Sequence, residues 1–536
     1  MRFEQFRAIF LLTDVIGYFT VCECADSAKR LYDDLLQHYN KLVRPVQNSS
    51  CPVKVVLSLK LMQLADVHEK LQVVNINGYL IHVWHDYRLK WDPEQYGGLK
   101  VVHIPTPMLW LPDIVLYNNA QGSPQVTTMT KAHVYWHGQV NWEPPVIYQF
   151  MCPIDIEWFP YDEQHCELKF GSWTYYGSQV DLIQPLSDKV ELVTTYDPST
   201  NKNETSWVVQ LGADITEYHE SVEWDLMSVS SHRHVRWYPC CDYPYIDITY
   251  KLHIRRKTLF FTVNLIFPCV GITLLTCLVF YLPSDSNLKI TLCVSILVTL
   301  TVFFLLLVEL IPPTSLTIPL IGRYLLFTMV MVTLSVVCTI IVLNMHYRMS
   351  QEPLPRWVKI VFCNCLPHLL FEVRQTGLNE KVFSRAVPVQ IRNPPKRNRN
   401  DKDPQSQALL LCLQKACRNV CYIARNMRYQ RKLEILRDDW KFVAIVLDRL
   451  FLWIFGTTTI FGSAYIILSA PTLRDKTMPV TQHDLTSAQS DFDFLDFSNV
   501  IDFSDPCNYH LITSTIQFAG LGLGGEGAAD QFRFWA

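Results

Sequence analysis

Four stretches, Thr258–Ser284, Ile290–Val308, Tyr324–Tyr347 and Leu450–Leu473, hold no Asp, Glu, Lys or Arg. Each matches the length that crosses a bilayer as a helix, about 20 residues. In hydrocarbon every backbone polar group must be satisfied internally, so helices are the economical way to use such segments. Core helices of one large soluble domain are the competing reading, and four such runs in one half of a 536-residue chain make it hard to sustain. Apolar residues at 49% and charged residues at 18% also exclude a disordered or fibrous chain. A formal charge of −3, from 47 basic and 50 acidic residues, gives no case for nucleic acid.

Met1–Ala25 has basic residues, the apolar runs Ala8–Leu12 and Val15–Thr20, and small residues near Cys24 and Ala25, interrupted by Glu4 and Asp14. That order reads as a signal peptide. Cleavage places the mature N-terminus outside the cell, and four spans return the C-terminus to the same side. The long loop between the third and fourth spans is then cytoplasmic. His346–Arg449 carries 20 Lys/Arg against 9 Asp/Glu, and Arg348, Arg356, Lys359, Arg437, Lys441 and Arg449 lie near the membrane, where they weigh most. Cys51, Cys152, Cys166, Cys240, Cys241 and Cys507 fall on the outer side, where disulfides persist. So do the glycan acceptors Asn48 and Asn203, each in an Asn-X-Ser/Thr triplet. The expected division is a signal peptide at 1–25, an extracellular domain at 26–257, three spans within 258–348, a cytoplasmic segment at 349–449, a fourth span at 450–473 and an extracellular tail at 474–536.

Within 26–257 the pattern predicts an amphipathic helix over Ser27–Leu42. It predicts strands over Val53–Leu64, Gln72–Lys90, His133–Trp142, Trp207–Leu211 and Ile246–Ile254. Short strands without βαβ alternation indicate a β-sandwich of the immunoglobulin-like kind, ahead of a four-helix transmembrane bundle. Cys152 and Cys166 flank Phe159-Pro160-Tyr161-Asp162 with 13 residues between them. A disulfide there would close a compact loop and stabilise the fold by about 3 kcal/mol in the chain-entropy model. The neighbours Cys240 and Cys241 are either free, paired elsewhere, or joined to each other in a small strained ring. Tyrosines at 238, 243 and 245 surround them.

The Cys152–Cys166 segment, followed by four spans, resembles the signature disulfide loop of the Cys-loop pentameric ligand-gated channels. Tyr238-Pro239-Cys240-Cys241-Asp242-Tyr243-Pro244-Tyr245 resembles the ligand-covering loop of nicotinic acetylcholine receptor α-type subunits. Trp110–Ala120, with Tyr117, resembles the first agonist loop, and Gly171-Ser172-Trp173-Thr174-Tyr175 the second. The resemblance implies disulfides Cys152–Cys166 and Cys240–Cys241, and an aromatic box of Tyr117, Trp173, Tyr238 and Tyr245 for acetylcholine. A quaternary ammonium cannot donate a hydrogen bond, and aromatic faces attract it instead. Trp84, Trp91 and Trp110 read as core. Tyr79 stands where the family carries a tryptophan on the complementary face. Lys169 and Asp247 match a charged pair that relays ligand capping, and Arg256 matches the arginine that couples the two domains.

From Lys289 to Glu309 the positions Thr291, Ser295, Val298, Val302, Leu305 and Glu309 advance by alternate steps of 4 and 3, so they share one helical face. Hydroxyls, small apolar residues and a terminal acid are what a pore-lining stripe requires. The resemblance assigns Thr291 and Ser295 to the hydrated pore, Val298 and Val302 to a gate, and Glu309 to an outer ring. Asp285-Ser286-Asn287-Leu288-Lys289 departs from the family, which usually has Gly-Glu before the lysine. Leu288 therefore implies a cation channel whose inner acidic ring comes from other nicotinic subunits in a heteropentamer. Acetylcholine, lipid and permeating cations are the further partners, and a postsynaptic plasma membrane the implied location. An anion-selective relative and a non-conducting assembly subunit are the alternatives. No nucleophile–base pair or metal-ligand set appears outside this constellation, so neither an enzyme nor a metal or cofactor is expected. Cys363, Cys365, Cys412, Cys417 and Cys421 match no standard zinc spacing. A Cys51–Cys507 pairing is left open.

Overall fold

The computed structural model describes residues 23–185, 190–197, 202–238, 243–285, 288–313, 316–347, 354–370 and 404–480. The chain divides into two units. One comprises residues up to Asp155, Glu163–Lys257 and everything from Lys476 onward, and the other Ile156–Asp162 and Thr258–Asp475.

The first unit opens with α1 (Glu23–Leu36) and continues with fourteen strands. They are β1 (Val53–His68), β2 (Val73–His85), β3 (Val101–Pro105), β4 (Ile114–Leu116), β5 (Asn119–Gln121), β6 (Lys131–Tyr135) and β7 (Gln139–Trp142). The rest are β8 (Pro145–Met151), β9 (Glu163–Ser172), β10 (Val180–Ile183), β11 (Glu191–Asp197), β12 (Lys202–Val209), β13 (Trp224–Arg236) and β14 (Tyr245–Arg256). An eight-stranded sheet runs β10-β1-β2-β7-β6-β3, with β8 and β5 paired alongside β2, and a six-stranded sheet runs β11-β12-β13-β14-β9-β4. Leu57, Leu59 and Leu61 of β1 and Ile76, Leu80 and Trp84 of β2 are buried, as are Leu168, Phe170, Tyr250 and Leu252 from the other sheet. Phe170 packs 5.9 Å from Tyr250 and 5.3 Å from Tyr148. Tyr250 Oη donates to Leu57 O at 2.9 Å, a polar tie between the two sheets inside an apolar core.

Three sequence boundaries shift for local reasons. The single strand expected over His133–Trp142 is a hairpin, β6–β7. Gly138 turns it with φ +94, and a Cβ there would meet Asp86 O at 2.7 Å. The second strand ends at His85, because the Asp86 carboxylate accepts from Arg88 N–H and caps a 3-10 turn over Tyr87–Leu89. The first helix stops at Leu36, ahead of a turn in which Asn40 Oδ1 accepts from Leu42 N–H.

In the second unit α2 (Leu259–Tyr281), α3 (Leu288–Leu310) and α4 (Leu320–His346) are long and apolar enough to cross a membrane, as is part of α5 (Pro404–Leu468). Pro268 has no N–H to donate, and the turn just before it, Thr262–Ile266, is widened into a π-helix. The charge-free run continues to Leu473, but α5 ends at Leu468 and Pro471 opens a separate 3-10 turn. Lys289 Nζ reaches Asp448 Oδ2 at 2.6 Å, and Ser284 Oγ donates to the same oxygen at 2.8 Å, pinning α3 to α5. The tip of the disulfide loop belongs to this unit. Glu157 O accepts from Leu320 N–H at 2.9 Å, Glu157 pairs with Arg323 at 3.0 Å, and the rings of Phe159 and Phe261 lie 5.2 Å apart.

Tyr250→Phe removes the inter-sheet hydrogen bond and orphans a buried carbonyl, so it should cost about 1–3 kcal/mol while the fold persists. Thermal unfolding of the solubilised chain checks this; an unchanged midpoint would show that the tie contributes nothing.

Candidate functional site

One end of the six-stranded sheet gathers the aromatic residues. The register sets Val115 of β4 opposite Gly171 of β9, Gly171 opposite Asp247 of β14, and Asp247 opposite His234 of β13. Tyr117 follows β4, Trp173 follows β9, Tyr238 follows β13 and Tyr245 begins β14, so four strand ends deliver four rings to one place. With Asp247 they line a cleft of about 270 Å3. Tyr117 and Trp173 stand 6.1 Å apart between centroids, and Tyr238 and Tyr245 stand 5.8 Å apart. Trp173 is 67% exposed and Tyr238 42%, which is unusual for large rings and leaves their faces open.

Small residues and turns position these rings. A Cβ on Gly171 would fall 2.7 Å from ring carbons of Tyr117, so only glycine lets that ring lie across β9. Tyr117 Oη donates to Ser172 O at 2.7 Å. Asp113, with φ +50, accepts from Trp173 N–H through its carbonyl at 3.1 Å and from Thr174 Oγ1 through its carboxylate at 2.9 Å. Aspartate tolerates that left-handed backbone, and it fastens the Trp173 turn to the strand leading to Tyr117. Burial, then the Asp247 charge, raises the Tyr117 hydroxyl above the ordinary tyrosine value. Desolvation and Tyr176 raise the Tyr245 hydroxyl too. Both rings are therefore neutral at physiological pH.

Asp247 is the charge at the floor of the cleft and is only 3% exposed. Its carboxylate lies 3.4 Å from Lys169 Nζ, 3.4 Å from Arg236 Nε and 3.0 Å from His234 Nδ1, and it accepts from Thr249 Oγ1 at 3.2 Å. Burial alone would raise its pKa, but the His234 hydrogen bond and the Lys169 and Arg236 charges outweigh burial and hold it below the ordinary aspartate value. The Lys169 ammonium also lies 5.8 Å from the Tyr117 ring centroid. At the other end of β14, Arg256 is buried, pairs with Glu69 at 2.7 Å and lies 4.3 Å from the Trp224 ring.

Cys152 and Cys166 are joined, with an S–S distance of 2.03 Å. Cys240 and Cys241, and Cys507, whose pairing with Cys51 the sequence left open, lie outside the described residues. Tyr79 sits on β2 of the other sheet, opposite Lys60 and Pro145, partly exposed and not among the residues lining the cleft. Asn48 is exposed in a turn, and Asn203 lies on β12 opposite Tyr196. Trp84, Trp91 and Trp110 are buried. Along α3 the stripe Thr291, Ser295, Val298, Val302, Leu305 and Glu309 is exposed, whereas Lys289, Cys293, Ile296, Leu300 and Leu307 are buried. The sequence motif included Gly171 without giving it a role, and passed over Tyr176 (5.1 Å from Tyr245) and the Asp247 partners His234 and Arg236. The aromatic run Trp173–Tyr176 pointed to Tyr176, but the rest depend on cross-strand register, which no local pattern announces.

Residues 28–258 match the family model for the neurotransmitter-gated ion-channel ligand binding domain, and residues 265–467 match the model for the transmembrane region of the same channels. The Caenorhabditis elegans acetylcholine receptor subunit alpha-type unc-63 is 48% identical over 84% of this chain and 94% of its own length. The Manduca sexta acetylcholine receptor subunit alpha-like is 46% identical over 88% and 95%. The human neuronal acetylcholine receptor subunit alpha-6 is 39% identical over 84% and 93%.

A carboxylate whose pKa is depressed on folding stabilises the fold above its ordinary value, and that stability is lost as pH falls through the depressed one. Asp247→Asn should therefore cost about 1–3 kcal/mol at neutral pH. The gap to the parent chain should persist without shrinking down to about pH 5 and close only below about pH 4. Thermal unfolding across pH checks this, and a gap that closes between pH 7 and 5 contradicts it.

Proposed function

The chain belongs to the neurotransmitter-gated ion channels, among the nicotinic acetylcholine receptor α-type subunits, and from that premise we propose that it binds acetylcholine through the cleft at the end of the six-stranded sheet. The observation that carries this reading is the convergence of Tyr117, Trp173, Tyr238 and Tyr245 around a cleft floored by Asp247. Each aromatic face attracts a quaternary ammonium by about 0.5–2 kcal/mol, with tryptophan the strongest. Neutral tyrosines suit this role, because their faces are what the cation meets. Cys240 and Cys241 lie between Tyr238 and Tyr245 in the sequence, in the segment that the family resemblance makes the ligand-covering loop. Tyr79, on the other sheet, is the residue this subunit would offer to a neighbour's cleft.

Closure of that loop pulls on β13 and β14. Asp247 with Lys169 receives the movement near one end of β14, and Arg256 with Glu69 delivers it at the other, nine residues further along one strand. The response is opening of a cation pore lined by Thr291, Ser295, Val298, Val302, Leu305 and Glu309. Support comes from the exposure of that stripe while the opposite face of α3 is buried. An even number of spans supports N- and C-terminal segments on one side, the extracellular one in this reading, with Asn48 and Asn203 as glycan acceptors. The return of Val480 N–H to Leu226 O at 3.0 Å, and of Arg255 to Thr477 Oγ1 at 2.7 Å, favours the same-side arrangement. Leu288 gives no acid to the inner mouth, so the subunit works in a heteropentamer at postsynaptic membranes.

Trp173→Ala should raise the acetylcholine concentration for half-activation at least about tenfold, roughly 1.4 kcal/mol, in receptors co-expressed with partner subunits. Unchanged sensitivity in every subunit combination would sink the site assignment. Expressed alone, the chain should give little current, and Leu288→Glu in the mixed receptor should increase cation conductance. Large currents from the chain alone would refute the heteropentamer.

A further inference from the structure

We propose that His103 and His133 form a site for a divalent transition-metal ion, zinc being the best fit, on the exposed face of the eight-stranded sheet. β3 is the edge strand and β6 its antiparallel neighbour, and the register sets His103 directly opposite His133. Strand alternation buries Val102, Ile104, Ala132 and Val134, and so sends both imidazoles to the outer face, where both residues are exposed. Opposed residues of a ladder hold their Cβ atoms about 4.5–5.5 Å apart. Here the two rings stand edge to face with centroids 4.7 Å apart.

The backbone beneath His103 is held in place. Tyr32 Oη, from α1, accepts from His103 N–H at 3.1 Å and donates to His103 O at 2.8 Å, satisfying both main-chain groups of an edge residue. His133 lies on an inner strand, paired with β3 on one side and opposite Asn141 of β7 on the other. Among the described residues no hydrogen bond to either imidazole ring is seen, so neither ring's nitrogen lone pair is engaged by a protein donor. Zinc binds imidazole nitrogen at about 2.0–2.1 Å, which places two ligand nitrogens roughly 3.3 Å apart around a tetrahedral ion. The Cβ–ring torsion of histidine is broad, so rotation of the rings reaches that spacing without moving the ladder.

The donor set decides the ion. Calcium and magnesium require oxygen ligands, whereas imidazoles suit zinc and its late first-row neighbours. Among the described residues no group of three or more His, Cys, Asp or Glu is placed to hold a metal. Asn141 Oδ1, the nearest candidate by register, already accepts from Gln139 Nε2 at 2.9 Å. Water therefore completes the shell, and the site is exchangeable, unlike a four-ligand structural centre. Occupancy ties the edge strand to its neighbour and stabilises the folded sheet by mass action.

The test is zinc binding to the purified full-length chain in detergent, measured by competition with a chromophoric chelator. The parent chain is compared with His103→Ala, His133→Ala, His133→Asn and the double alanine variant, with the exposed His38→Ala as control. Each single substitution should weaken one zinc site at least about tenfold, and the double variant should lose it, with His38→Ala unchanged. Cobalt should give nitrogen-ligand visible bands that disappear with His133, and metal-free variants should melt with the parent. A double variant that binds the same number of zinc ions as tightly as the parent would overturn the proposal, as would a parent chain with no site to lose.

Discussion

The antiparallel ladder of β14 with β9 and β13 is the constraint on which the rest of the extracellular unit depends. Its twelve residues carry Tyr245 and Asp247 at one end, Tyr250 in the core and Arg256 at the other end. A slip by one residue would turn Asp247 toward the opposite face and put an apolar neighbour in the cleft. The buried carboxylate helps to prevent this, since it is satisfied only where Lys169, Arg236 and His234 all meet it. Removing one partner of such a cluster costs more than the cluster contributes relative to an apolar core. Asp247 therefore specifies register as much as it stabilises, while the inter-sheet contacts of Tyr250 and Phe170 hold the ladder against the other sheet.

How far the sequence could be read depended on the range of each interaction. Spans were legible, because hydrocarbon length and the absence of charge are properties of contiguous residues. The stripe on α3 was legible too, since helical periodicity converts spacing directly into a face. Strand existence could be read from alternation, but the ends of strands turned on single hydrogen bonds, such as the Asp86 cap. The glycine turn at Gly138 split an apparently continuous strand for the same kind of reason. The site divided along the same line. Its aromatic rings stand beside recognisable local motifs, whereas His234, Arg236, Gly171 and Glu69 acquire their roles only when remote strands pair.

Exposure in the second unit has a different meaning. Val298, Val302 and Leu305 are exposed on one side of α3, as are Val294, Leu306 and Val308 beside them, and in a membrane span such residues face either lipid or neighbouring helices. The proposed pore assigns this stripe to a common axis shared with neighbouring chains. The same logic applies to Leu288, 65% exposed at the end of this helix. An apolar residue at a pore mouth weakens the attraction of that mouth for cations unless acids from other subunits compensate.

The two ends of the mechanism are thus made from different physics. The cleft uses neutral π faces and one buried anion, both held by cross-strand register, so its geometry can be built within a single chain. On the proposed reading the pore stripe of α3 faces neighbouring chains, so its properties would belong to the assembly. The link proposed between them is a single strand with an ion cluster at each end, Asp247 with Lys169 and Arg256 with Glu69. On the proposed reading these ion pairs, largely shielded from solvent, are what would carry a displacement of β14. They are also costly enough to desolvate that a misplaced strand would not retain them.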